Sequence, residues 1–293
     1  MFSLRFQVKQ DLEFAPNVAC PPGEIKVRID LFPFRLMLQS TFLFLPGIGE
    51  STERLWWEDG IATWDAFLEK TIAPRISSFR KAQYDEDILE ARKHWKAQNS
   101  RFFTHILKAR DHWRLYPNFR SQAAFLDIET NGIPLPDGEI TVVGIYGKGR
   151  MTTFIQGETL SEERLQAEFA SYDLLVTFFG SGFDLPFLKA KYPDLKLDHP
   201  HIDLCFAARR LGLKGGLKAI ETEVGCYRPA SLEGLTGWDA VRLWEEWQLG
   251  QSDSREVLIQ YNEADCKNLE PLADLIYNRL VQRHGLPEYI ASL

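Results

Sequence analysis

Cysteine is scarce in this 293-residue chain, and its four copies, Cys20, Cys205, Cys226 and Cys266, lie far apart. No C-x-x-C pair and no Cys/His ligand spacing links them, which argues against a zinc site. The thiols read as buried or incidental groups in a reducing compartment, and the fold is expected to form without disulfide staples. No apolar run reaches the length that spans a bilayer. The opening segment Met1-Phe2-Ser3-Leu4-Arg5-Phe6-Gln7-Val8 alternates like a strand and lacks the unbroken apolar core of a signal peptide. A soluble cytoplasmic protein is therefore expected, with no membrane partner and no small-molecule organic cofactor. Internal repeats and low-complexity tracts are missing too.

An overall basic surplus is also lacking. The formal net charge of −7 argues against a generic polyanion binder. The charge is unevenly placed, however: residues 71–120 hold eleven Lys/Arg against five Asp/Glu, a surplus of +6, so the remainder carries −13. Such a local basic surface suits phosphate contact, although a solvated amphipathic helical pair would carry the same pattern. What the chain does have is apolar material, 45% of residues, enough to fill a sizeable core in one large domain or two smaller ones.

Three stretches follow from the patterning. Residues 1–35 read as short strands broken by the Pro/Gly cluster around Pro16, Pro21, Pro22 and Gly23. Residues 36–120 read as a small helical domain, with a helix-turn-helix pattern from Met37 to Leu68 and two further helices within residues 80–115. From 121 to 293 the pattern becomes α/β. Strands are predicted over residues 123–129, 140–146, 150–155 and 173–178. The first three form an antiparallel meander, and a crossover helix from Leu160 to Ser171 leads into the fourth. After Phe187 and Leu188 the chain reads as mainly helical, ending in a long helix or helix pair from about Ser254 to His284. The expected fold is a mixed sheet flanked by helices and preceded by a small, mainly helical domain.

Two fragments carry the chemistry. In Phe125-Leu126-Asp127-Ile128-Glu129-Thr130, Asp127 and Glu129 are two apart at the end of a strand and so point to one face. In Tyr261-Asn262-Glu263-Ala264-Asp265, Tyr261 and Asp265 are four apart on a helix and share one helix face. Carboxylates gathered on one face repel unless a cation sits among them, and all-oxygen ligation suits Mg²⁺ or Mn²⁺. Taken singly, each fragment has a plainer use: an exposed strand end, a surface helix pair or, for Asp184 ahead of Pro186, a helix start.

In order and context, Asp127 and Glu129, then Phe183-Asp184, then Tyr261 and Asp265 resemble the three motifs of the ribonuclease H-like 3'-5' exonucleases of the DnaQ type, and more narrowly their DEDDy subgroup. The segment from His201 through Arg209 to Lys218 and Glu221 is similar to one in a bacterial branch of that group. The resemblance covers residues 123 to about 280. It implies two divalent cations, Mg²⁺ or Mn²⁺, roughly 3.5 to 4 Å apart and stabilising both oxygens of an in-line phosphodiester displacement. It further implies that Asp127 bridges the ions, that Glu129 and Asp265 hold the one that activates water, and that Asp184 serves the other mainly through water. Tyr261 would orient the attacking water. Thr130, Phe183, Arg209 and Lys218 would meet the nucleic acid, with Arg210 and Lys214 as further backbone contacts. One departure stands out: Phe179 occupies the place where the family's second motif commonly carries Asn. His201 reads as structural.

Ahead of this region, Leu45-Pro46-Gly47-Ile48-Gly49 resembles the turn of a helix-hairpin-helix element. There Gly47, Ile48 and Gly49 would let a phosphate approach the start of the next helix. Glu50 and Glu53 follow, so the hairpin could equally be a packing module whose acids suit the helix N-terminus. Trp56, Trp57, Ile61, Trp64 and Phe67 read as core. The combined reading is a 3'-5' exonuclease that releases nucleoside 5'-monophosphates from nucleic acid, DNA favoured over RNA because of the hairpin. Its rivals are an RNA exonuclease, a catalytically silent nucleic-acid-binding subunit and an endonuclease acting on a structured or hybrid duplex.

Overall fold

The computed structural model describes residues 36–226 and 228–286. The short strands expected within residues 1–35 lie outside them. The described chain begins with turns over residues 36–40 and runs through α1 (Glu50–Glu58), α2 (Trp64–Glu69), α3 (Ser78–Lys96) and α4 (Ser100–Ile106). A 3-10 helix over Ala109–Leu115 then leads into the short α5 (Tyr116–Phe119). The expected helix-turn-helix thus starts later than Met37, because the Pro46-Gly47 turn precedes its first helix. Side-chain caps set three of the starts: Thr63, Ser77 and Asn99 accept hydrogen bonds from the backbone N–H groups of Ala66, Arg80 and Phe102.

Three buried indoles pin this segment together. Trp57 donates to Ser40 O at 2.8 Å, Trp64 to Thr41 O at 2.8 Å and Trp56 to Pro74 O at 2.9 Å. Trp56, Trp57, Ile61, Trp64 and Phe67 are all buried, in keeping with a packing role. Glu53, in the first turn of α1, is buried and fully engaged: it accepts from Thr41 Oγ1 and Phe42 N and pairs with the buried Arg114 at 2.9 Å. A buried carboxylate needs such partners to offset its desolvation.

The rest is a mixed five-stranded sheet covered by helices. In chain order it comprises β1 (Ala123–Thr130), β2 (Ile140–Gly147), β3 (Arg150–Ile155), α6 (Glu162–Phe169), β4 (Leu174–Thr177), α7 (Asp184–Lys191), β5 (His201–Asp203), α8 (Leu204–Arg210), α9 (Leu217–Val224), α10 (Gly237–Gln248) and α11 (Ser252–His284). The strand order is β3-β2-β1-β4-β5. The first three strands pair antiparallel, and β4 and β5 add in parallel to β1. β5 adds a strand to the part of the chain that reads as mainly helical. Three residues are too few to show strand alternation, and pairing with β4 defines them.

Alternation along β1 divides the core. Ala124, Leu126 and Ile128 pack with Val143, Leu165, Phe169 and Leu188 on one face of the sheet. Ala123 and Phe125 look to the other, where they share one apolar core with α11 and the N-terminal helices. Asp127 and Glu129 continue that second register toward the strand's end, which places them beneath α11.

Candidate metal centre and nucleic-acid cleft

The carboxylates arrive from three elements. β1 supplies Asp127 and Glu129 and α11 supplies Asp265. One oxygen from each of the three can be chosen so that all lie within 4.8 Å of one another. Asp184 opens α7 and is buried, and its Oδ1 accepts from the backbone N–H of Ile128 at 3.1 Å, between the two β1 acids. All four acids, together with Tyr261, Thr130 and Phe183, line one cleft of about 620 Å³.

β2 makes this convergence possible by carrying no side chain opposite Asp127. Gly144 is the β2 partner of Asp127 in the register. A Cβ built on Gly144 would lie 2.0 Å from Asn262 Oδ1 and 2.7 Å from Cys266 Sγ, so α11 can sit this close to the sheet only over a glycine. The approach lets Asn262, fully buried, donate through Nδ2 to Asp127 Oδ2 at 3.0 Å and to Asp127 O at 3.3 Å.

Two cations face the acids. Arg228 donates to both oxygens of the buried Glu221, at 2.7 and 2.8 Å, and pairs through Nη2 with Asp265 Oδ1. Asn268 completes the Glu221 contact at 2.9 Å. Lys218 on α9 places its ammonium against the Tyr261 hydroxyl at 2.5 Å, also bonds Leu235 O, and lies 4.2 Å from the Tyr261 ring centroid.

Burial and mutual repulsion dominate the electrostatics. Burial, followed by the charges of Asp265, Glu129 and Asp184, holds Asp127 well above the usual carboxylate range. Burial and the charges of Asp265 and Asp184 do the same to Glu129. Burial pushes Asp184 up to about 7 against its backbone hydrogen bonds, with Asp203 and Asp265 adding to the rise. Burial raises Asp265 as well, while Arg228 and Lys218 pull it back. The Tyr261 phenol is raised by burial and the neighbouring acids, so it keeps its proton near neutral pH.

This donor set fits a hard divalent cation. It is all oxygen, it carries more negative charge than Arg228 and Lys218 balance, and Glu129 Oε1 is buried with no hydrogen-bond partner among the described residues. Asp127, Glu129 and Asp265 are the residues that would hold it, with Asp184 beside them.

The other expected contact residues are dispersed. Thr130 ends β1, and Phe183 precedes α7 on the cleft wall. Arg209 lies on α8 with its guanidinium 5.3 Å from the Phe206 ring centroid. Lys218 is held inside, against Tyr261. Gly47, Ile48 and Gly49 form the turn before α1 and are not part of the cleft lining. His201 bonds Thr177 Oγ1 at 2.8 Å, and burial lowers its pKa to about 4, as suits a neutral structural group. Sequence reasoning missed Arg228, Glu221 and Asn262. Asn262 could have been found as a polar residue on the Tyr261/Asp265 side of a helix, whereas Arg228 sits in a loop without periodic signal.

Residues 124–277 match the family model described as the RNase_H superfamily. No curated protein matches the chain. Among solved structures, the chain is similar to the family B DNA polymerase from the hyperthermophilic archaeon Pyrobaculum calidifontis, at 16% identity and a TM-score of 0.41. That match covers 55% of this chain and 24% of the polymerase chain.

Proposed function

Because the chain belongs to the RNase_H superfamily, we propose that it is a metal-dependent nuclease, and specifically a DEDDy-type 3'-5' exonuclease acting on single-stranded nucleic acid. The observation that carries this reading is the convergence of Asp127, Glu129 and Asp265, with Tyr261 one helical turn before Asp265. A pair of Mg²⁺ or Mn²⁺ ions held there would supply the Lewis acidity that phosphodiester hydrolysis by in-line displacement requires.

The chain's own groups do the rest. Tyr261 stays a neutral phenol whose hydroxyl is fixed by Lys218, so it can orient a water without acting as a base. Asn262 holds Asp127 in place, and Arg228 holds Asp265. Asp184, tied to the Ile128 N–H, presents a carboxyl on the same cleft. The products would be nucleoside 5'-monophosphates. We assign residues 121–293 to this catalytic unit and residues 36–120 to a helical module. The helix-hairpin-helix-like turn at Gly47, Ile48 and Gly49 in that module supports DNA as the preferred substrate.

End-labelled DNA and RNA oligonucleotides, incubated with Mn²⁺ and resolved by length, test the proposal. A ladder shortening from the 3' end, lost in Asp127→Ala and Asp265→Ala, is expected. Tyr261→Phe is expected to lower kcat about 10²-fold, the scale of one oriented hydrogen bond in a transition state, while leaving Mn²⁺ affinity unchanged. Faster digestion of RNA would reassign the substrate. Binding without cleavage in either metal would favour a silent nucleic-acid-binding subunit.

A further inference from the structure

On one wall of the cleft the chain holds an aromatic side chain outward in a conformation that residues with a Cβ avoid. Phe179 has φ +64° and remains 43% exposed. Left-handed backbone at a bulky residue is costly and persists only where the surroundings enforce it. Asp203 does the enforcing. Its Oδ1 accepts from the Phe179 N–H at 2.9 Å, and its Oδ2 accepts from Ser181 N at 3.1 Å and Ser181 Oγ at 2.5 Å. Gly182 leaves room for the ring, since a Cβ there would lie 2.6 Å from it.

The ring that this brace holds out is not alone. Phe206, 45% exposed on α8, lies 6.1 Å from Phe179 between centroids, and the Arg209 guanidinium covers part of it at 5.3 Å. The tilt of 44° makes the pair a continuous ledge rather than a slot closed around one ring. The ledge starts in the carboxylate cleft, which Phe179 lines. It leads to a second pocket of about 180 Å³ that Phe206 shares with Arg110 and Arg210. Exposed aromatic faces interleaved with guanidinium groups are what stacked bases and their phosphates require. Both oxygens of Asp203 are taken up by loop donors, and in the second pocket its single charge is outnumbered by those of Arg110 and Arg210.

We propose that Phe179 and Phe206, flanked by Arg209, form a stacking subsite for the bases upstream of the scissile nucleotide. This rests on the nuclease reading of the carboxylate site and adds a specificity element to it.

The test compares two substrates in Mn²⁺. One is a single-stranded oligonucleotide. The other is the methyl ester of thymidine 5'-monophosphate, which has neither an upstream base nor any other ring to stack. Phe206→Ala, and Phe179→Gly, which tolerates the positive φ, are expected to raise KM for the oligonucleotide about tenfold, within the range of lost base stacking. kcat and hydrolysis of the ester should not change, and Phe206→Trp should restore KM. An oligonucleotide abasic upstream of its 3' nucleotide should bring wild type and variants to the same KM. Unchanged oligonucleotide KM in both variants, or equal losses on oligonucleotide and ester, would overturn the subsite while leaving the nuclease reading intact. A wild-type protein that neither cleaves the two substrates nor binds the oligonucleotide in Ca²⁺ would overturn both.

Discussion

Gly144→Ala is the smallest change that should dismantle the site without touching any ionisable group. The added methyl would sit 2.0 Å from Asn262 Oδ1 and 2.7 Å from Cys266 Sγ, whereas ordinary contact begins near 3.4 Å. Relief requires a displacement of about 1.4 Å, either of α11 as a body or of the Asn262 amide. Neither is benign. Moving α11 carries Asp265 and Tyr261 away from Asp127 and Glu129, and swinging the amide breaks its bond to Asp127. Overpacking of this kind costs about 1 to 3 kcal/mol, and a misplacement near 1 Å lowers a catalytic rate about 10²-fold. Urea unfolding should therefore report a lower midpoint at unchanged slope, and titration calorimetry a weaker Mn²⁺ affinity. Adding Asn262→Ala removes the closer of the two clashes, so the double variant should be more stable than the sum of the single effects implies. A Gly144→Ala protein with wild-type midpoint and wild-type Mn²⁺ affinity would refute the close packing of α11 on β2.

Two further outcomes follow from charge. Burial and the neighbouring acids push Asp184 up to about 7 in the folded chain, well above the ordinary carboxylate range, so between that range and 7 the folded chain binds a proton that the unfolded chain has lost. In chelator, the urea midpoint should fall as pH rises from 4 to 7, and Mn²⁺ should oppose the fall by binding the ionised acids. A midpoint that climbs over that window would contradict the assignment. Arg228→Gln leaves Glu221 and Asp265 buried beside each other without their shared cation, and breaking a buried pair costs about 3 to 5 kcal/mol. Chemical denaturation in chelator should register that loss, and Glu221→Gln in the same chain should recover part of it.

Much of the sheet was legible because its residues obey short-range rules. β1 through β4 fall within a residue of the ranges expected from apolar alternation bounded by Gly, Pro and Asp. β5 was not, since His201, Ile202 and Asp203 form a strand only through β4. The site divides the same way. The two-residue spacing of Asp127 and Glu129 and the four-residue spacing of Tyr261 and Asp265 each fix a shared face locally. Arg228 reaches Asp265 from a loop 37 positions earlier, and no local pattern encodes that reach. Lys218 shows the limit differently: a lone basic residue on a helix suggests a solvated phosphate contact, yet α9 packs it against the Tyr261 hydroxyl. The strain at Phe179 is invisible in sequence, where only the missing Asn hinted at an altered wall.

The N-terminal helices bear on the carboxylate site through α11 and line no part of the carboxylate cleft. Asp274, nine positions beyond Asp265 on the same helix, accepts from Tyr116 at 2.7 Å and from Arg120 through two bonds at 2.7 Å, and Arg120 also pairs with Glu270 at 3.1 Å. Tyr116 belongs to α5 and is buried in the core that α11 shares with the helical segment. Pro271 lies between Asp274 and Asp265, so the clamp anchors the C-terminal part of α11 against the helical segment, two and a half turns from the carboxylates. Gly144 sets how close α11 lies, and the Tyr116 and Arg120 clamp restrains how far it can slide. α11 is thus held jointly by the strand beneath it and the helical segment beside it.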